Sequence, residues 1–226
     1  MITEEITIDA PSGAMNAHLA RTEDNRRRPA VIVLEGIYGF DDEIKRITNQ
    51  AAAAGYAAIA IDYLRGRDAK TVFNAQDVCA DVAATRDWLD DQSFVQHGKI
   101  ATWGFGYGGT AAFLASTLPG LAASIAFYEQ SIARPIPGTS ATALDEAGAA
   151  VRTPLLLVFG GHDEQIGPDE IATIRKRLSE NNKTFEIQEY ADVGHSFFRE
   201  DLGTIATRQI ADAWDRVQSF LRRSFA

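Results

Sequence analysis

Two hydrophobic patterns alternate along the chain. Continuous apolar runs at Ala30-Val31-Ile32-Val33-Leu34, Ala57-Ala58-Ile59-Ala60-Ile61, Ile100-Ala101-Thr102-Trp103, residues 122–127 and residues 154–159 have the character of strands covered on both faces. Between and after them lie stretches with helical spacing at 42–54, 75–89, 109–118 and 168–179. Strands that alternate with amphipathic helices imply right-handed crossovers and a largely parallel sheet. Ahead of them, Ile6 to Ala20 alternates weakly around Pro11-Ser12-Gly13, which suits an antiparallel hairpin. The chain closes with a strand at 184–190 and a helix from about Ile205 to Leu221, where Ile210, Trp214, Val217 and Leu221 keep one face. The pattern predicts a single α/β domain over residues 1–226, with a mostly parallel central sheet of about eight strands, an antiparallel edge and helices on both faces. Residues 131–151, with Pro135, Pro137 and Gly138, read as an irregular insertion near the mouth of a site.

In such sheets ligands bind beyond the carboxyl ends of the strands, and three segments with chemical character fall there. The first is Thr102-Trp103-Gly104-Phe105-Gly106-Tyr107-Gly108-Gly109, a strand, a tight Gly-x-X-x-Gly turn and a helix start. In the α/β-hydrolase version of that turn, X is a nucleophile held in a strained conformation above the sheet. Here X is Gly106, which has no atom able to attack a carbonyl. The second segment is Gly160-Gly161-His162-Asp163 and the third is Gly194-His195-Ser196-Phe197-Phe198-Arg199. Nucleophile turn, Asp, His is the chain order of α/β-hydrolase triads. Asp163 is then the natural orienter of His195, fixing its tautomer.

These three segments together resemble the site motifs of the dienelactone hydrolase family, and the resemblance runs from about Ala30 to the C-terminal helix. It implies the α/β-hydrolase fold and an activity that opens lactones and esters, with Asp163 and His195 on two triad positions and Gly106 on the nucleophile position. It also implies that Arg199 grips a substrate carboxylate. The segment Leu34-Glu35-Gly36-Ile37-Tyr38-Gly39 resembles the family's Glu-Ile-Phe-Gly stretch, in which a glutamate partners the nucleophile and the Ile amide joins the oxyanion hole. The oxyanion hole would accordingly be the amides of Ile37 and Tyr107, with Gly36 and Tyr38 beside the substrate. The glutamate position is occupied by Gly36, and Glu35, one place off, should face the opposite way. A single engineered change at the nucleophile would leave that glutamate in place, so the double departure favours natural divergence. Glu129 stands where the family usually has glycine after Phe-Tyr; it either adds a carboxylate to the site or is simply exposed. Arg65 and Arg67 are equal candidates for a second substrate arginine.

Composition narrows the partners. A formal charge of −9 excludes a nucleic-acid surface built on clustered cations, and Arg26-Arg27-Arg28 reads as a solvated turn. One cysteine, Cys79, excludes an internal disulfide and reads as a small buried hydrophobe. No apolar run reaches the length of a membrane span and the N-terminus lacks a signal-peptide pattern, so a cytoplasmic protein is expected. His162 should face outward, while His18 and His97 have no partner pattern; no metal and no cofactor are expected. Trp103, on the strand itself, should fill core. The expected partner is a small, anionic molecule, and the chain a monomer or small homo-oligomer.

Three activities fit these residues. The first is hydrolysis in which His195 activates water against an ester or lactone. The second is cofactor-free lyase or isomerase chemistry with the same base, and the third a catalytically dead protein that binds a small anion. Hydrolysis is the favoured reading and the binding protein the runner-up.

Overall fold

A computed structural model describes residues 1–24, 26–203 and 206–226, without the side chains of Thr71 and Val72. Its eight strands form one sheet: β1 (Ile2–Ile8), β2 (Met15–Arg21), β3 (Arg28–Leu34), β4 (Ala57–Ile61), β5 (Val95–Phe105), β6 (Ala123–Phe127), β7 (Leu155–Gly160) and β8 (Phe185–Tyr190). The order is β1-β2-β4-β3-β5-β6-β7-β8, antiparallel at β1-β2 and β2-β4 and parallel from β4 to β8. The helices are α1 (Asp42–Ala53), α2 (Ala69–Val72), α3 (Ala75–Asp90), α4 (Tyr107–Ala115), α5 (Ala143–Ala147), α6 (Pro168–Glu180) and α7 (Thr207–Ser224). The expected start of the last helix, Ile205, lies outside the described residues.

Strand β5 is longer than its apolar run. Buried Val95 pairs with Arg28, and residues 96–99 after it, polar or glycine and partly or fully exposed, span a register shift before the core ladder begins at Ile100. Periodicity misses this because four polar or glycine residues separate Val95 from the continuous apolar run. The periodicity does not mark the short helix α2, and α5 lies inside the 131–151 segment expected to be irregular. α5 is held by a Thr142–Asp145 capping box, and the Ser131 and Ile132 carbonyls accept from the Ala143 and Leu144 amides, which folds the 131–151 segment onto itself.

Successive residues of β5 show how the two helical layers meet the sheet. Trp103 is fully buried and stacks on Trp214 of α7, with ring centroids 5.5 Å apart, as the reading of Trp103 as core requires. Gly104 points the other way, where a Cβ would lie 1.8 Å from the Gly108 carbonyl oxygen of α4. α4 and α7 therefore cover opposite faces. α4 is buried along its whole length, which its sequence Tyr-Gly-Gly-Thr-Ala-Ala-Phe-Leu-Ala permits by being apolar or small on every side. It leaves β5 without a connecting loop, and this places Gly106 at the carboxyl end of the sheet centre.

Candidate active site

Gly106 has φ +55° and ψ −126°, a backbone that glycine adopts freely and that strains any residue with a Cβ. The turn thus keeps its sharp geometry without the side chain that usually occupies it. Its amide donates to the Phe127 carbonyl of β6 at 3.0 Å, which ties the turn to the next strand. Ile37 and Tyr107 flank the same space, and among the described residues no acceptor is paired with either amide. Tyr107 opens α4 and Gly106 contributes no capping side chain, so the helix start is left to face the cavity.

His195 reaches this space from the loop after β8. Its Nδ1 lies 2.8 Å from Asp163 Oδ2, and Asp163 Oδ1 accepts from the Gln165 amide at 2.8 Å. The Asp163 side chain has no solvent exposure, whereas that of His195 is 25% exposed. With Nδ1 engaged, Nε2 is the nitrogen left for chemistry. The loop is anchored by the residues that follow: Phe197 and Phe198 are buried, and Phe198 packs with Trp103, Phe105 and Phe127. Burying two such rings is worth about 1.5–3 kcal/mol each, which explains physically why Phe-Phe follows the histidine. Ser196, at φ +57°, makes the turn between the anchor and the imidazole. The edge-on Tyr128 ring, 5.5 Å from that of His195, limits its rotation.

The resulting cavity has a volume of about 280 Å³ and is lined by Ile37, Tyr38, Lys70, Gly106, Tyr107, Glu129, Gln130, Gln165, His195 and Ser196. It gathers Gly106, Ile37, Tyr107, Tyr38, Glu129 and His195 from four separate stretches of sequence. Lys70, Gln130 and Gln165 were not foreseen; each stands in an unremarkable polar segment, and only the folded chain brings it to the cavity. Ser196 directly follows the motif histidine.

Several expectations change. Glu129 is 3% exposed, not a surface carboxylate; its Oε1 accepts from the Ser131 amide at 2.6 Å. Burial raises its carboxyl above the ordinary range, opposed by the Ser131 amide, the nearby Thr110 hydroxyl and the His195 charge. Arg199 is buried but is not at the cavity. Nε and Nη2 donate to the two carboxylate oxygens of Asp201 at 3.0 and 2.7 Å, and Nη2 also donates to Asp41 at 2.5 Å. Its guanidinium lies over the Tyr38 ring, 4.4 Å from the centroid, so it positions a cavity residue and has its charge matched within the chain. Arg65 is tied to Asp81 at 2.9 Å and to the Gly13 carbonyl at 2.7 Å, beside the N-terminal hairpin, and exposed Arg67 donates to Leu64 at 3.0 Å; neither lines the cavity.

Gly36 abuts the site without lining it. A Cβ there would lie 2.6 Å from the Phe105 carbonyl oxygen, so the glutamate expected from the family pattern cannot be seated on this backbone. Glu35 does not line the cavity and is fully buried, and one oxygen accepts from the Leu64 amide at 3.2 Å. Burial, followed by the negative charge of Asp62, pushes its carboxyl up to about 8. His18, for which no partner was foreseen, sits between Glu5 at 2.7 Å and Asn49 at 3.0 Å, away from the site. His162 is exposed. Burial raises the Cys79 thiol to about 11, which keeps it from nucleophilic work. Among the described residues no group of His, Cys, Asp and Glu forms a metal cage, and no helix is long and apolar enough to cross a membrane.

The sequence profile of the dienelactone hydrolase family matches residues 15–225. The chain belongs to the dienelactone hydrolase family. A relative from Bradyrhizobium sp., described as a probable 2-oxo-3-(5-oxofuran-2-ylidene)propanoate lactonase, is 28% identical over 98% of this chain and 96% of its own length. A candidate carboxymethylenebutenolidase from Yersinia pestis is 29% identical over 94% of this chain and 85% of its own. Among solved structures, a candidate dienelactone hydrolase from Klebsiella pneumoniae superposes with a TM-score of 0.88 at 24% identity, covering 98% of both chains. The metagenomic dienelactone hydrolase-like promiscuous phosphotriesterase P91 superposes with a TM-score of 0.81 at 19% identity over the whole of both chains. The eight-stranded, mostly parallel sheet is the one the apolar runs imply, and the family is the one the three motifs resemble.

Proposed function

We propose that this dienelactone hydrolase-family chain hydrolyses a small lactone or ester by direct attack of water. The observation that carries this reading is His195, held 2.8 Å from buried Asp163 and lining the same cavity as Gly106, Ile37 and Tyr107. A glycine at the turn closes the covalent route, because no acyl-enzyme can form there. His195 Nε2 would take a proton from water in the space beside Gly106, Asp163 would hold the imidazole tautomer, and the two amides would receive the oxyanion. Oxyanion hole and binding alone leave about 10³ to 10⁴ of acceleration in serine proteases that lack the triad, so a site without a nucleophile is chemically reasonable.

The relatives' names specify lactones, and a lactone of that size suits a cavity of about 280 Å³. With Arg199 matched by Asp41 and Asp201, Lys70 is the lysine or arginine among the described residues that lines the cavity and could attract an anionic group. Turnover of esters, lactones and enol lactones should fall by about 10² to 10⁴ in His195→Ala. Undiminished turnover in that variant overturns the mechanism. A wild-type protein that binds small carboxylates and turns over none of the panel would favour the binding protein instead.

A further inference from the structure

Hydrolysis by His195 and water leaves one buried acid of the cavity without a task. Glu129 ends the strand-to-loop turn after β6, and two features of the backbone bring it inward. Tyr128, immediately before it, has φ +41°, a left-handed conformation that costs a residue with a Cβ about 1–3 kcal/mol and that clusters at functional sites. Gly109 of α4 faces it, where a Cβ would stand 2.9 Å from Glu129 Cβ. A strained residue and an opposing glycine thus hold a carboxyl in the wall that also contains Gly106 and His195. Oε1 accepts from the Ser131 amide, and the Thr110 and Ser131 hydroxyls stand beside the same carboxyl.

We propose that Glu129 is the second proton-transfer group of this cavity, acting as general acid across from His195. In hydrolysis, His195 Nε2 removes a proton from water as the water oxygen bonds to the acyl carbon and the carbonyl electron pair moves to oxygen. When that pair returns, the bond from carbon to the leaving oxygen breaks, and this oxygen takes the Glu129 proton. The imidazolium proton then returns to the Glu129 carboxylate through solvent, which leaves one acid and one alcohol from one ester and one water. The charged and titratable groups facing Glu129 are His195 from the loop after β8, Tyr63 after β4, Tyr107 of α4 and, on the cavity wall, Lys70 of α2. Burial among them favours the protonated carboxyl, as a proton donor requires.

The hydrolytic form of the inference rests on the function proposed above, and the experiment separates the two. Glu129→Gln keeps an acceptor for the Ser131 amide and removes the proton. A general acid matters when the leaving oxygen is basic, so kcat/KM on an ethyl ester or an unactivated lactone should fall about 10² or more, with little change on a 4-nitrophenyl ester. In the wild type, which needs no variant to fold, the rate on the ethyl ester should fall as pH rises and Glu129 ionises. The 4-nitrophenyl ester should lack that basic limb. Equal losses on all leaving groups, or an ethyl-ester profile with no basic limb, overturn the inference while leaving hydrolysis standing. If no ester is cleaved but deuterium exchanges from solvent into small 2-oxo acids, and the exchange is lost in both Glu129→Gln and His195→Ala, hydrolysis fails and the paired proton-transfer site stands. A chain that does neither overturns both.

Discussion

Gly106→Ala adds one methyl group to the residue on which the chemistry turns, and its cost can be worked from the backbone alone. The added Cβ would meet nothing closer than Gly36 Cα at 3.9 Å, so steric overlap contributes nothing. The φ +55°, ψ −126° conformation is the mirror image of an extended one, open to glycine and strained for alanine by about 1–3 kcal/mol. Alanine also narrows the unfolded ensemble, which offsets about 0.4–1 kcal/mol. At the middle of both ranges, about 2 less about 0.7, a net loss of about 1–2 kcal/mol remains, or about 2–8 °C in Tm for a chain of this size. Thermal unfolding followed by circular dichroism at fixed pH measures it. Turnover should fall too, since the methyl enters the space assigned to the attacking water. An alanine variant as stable as the parent would mean that the chain does not hold this turn in solution, and the oxyanion geometry built on it would go with it.

Two further outcomes follow from buried charges. Glu35 is a raised carboxyl, so the folded state holds its proton between the ordinary pH of about 4.5 and about 8 while the unfolded state releases it; stability therefore falls as pH rises through that window. Glu35→Gln should remove the fall, and its stability relative to wild type should climb from near zero at pH 4 by on the order of 3–5 kcal/mol by pH 9; a difference that is flat with pH in denaturant titrations refutes this. Arg199→Met should cost about 1–3 kcal/mol, because it strips Asp41 and Asp201 of their shared cation while both carboxylates keep access to water. Its kcat/KM should change alike for neutral and anionic esters, and a loss confined to anionic esters would restore Arg199 as a substrate anchor.

Much of this fold is legible in the pattern of apolar runs because parallel strands buried on both faces leave an unbroken signal. Ala57–Ile61 is such a run and forms β4 with the same bounds. The signal fails where polar or glycine residues interrupt it, as at 96–99 of β5, and where a helix is short, as at α2 and α5. Within the site, Gly106, Asp163 and His195 were legible because local turns mark them: a glycine-flanked elbow and two strand ends. Glu129 and Arg199 were placed in the right neighbourhood, yet sequence could not say which way they face. That depends on Tyr128 adopting a left-handed backbone and on Asp41 arriving from another loop. Lys70 carries no local mark at all.

The two departures from the family pattern, seventy residues apart in sequence, meet in the structure. The Cβ direction of Gly106 points toward Gly36 Cα, and that of Gly36 points into the Phe105 carbonyl that precedes the turn. A nucleophile at 106 would still fit the space, whereas its glutamate partner at 36 would have to push the ends of β3 and β5 apart. Loss of the partner is therefore built into the backbone, and loss of the nucleophile is not. Restoring a thiol at position 106 alone would leave it without the carboxylate that the family places beside it, in a cavity whose buried acid is Glu129. On the mechanism proposed above, catalytic work passes from a nucleophile and its partner at the ends of β3 and β5 to two proton carriers that follow β6 and β8.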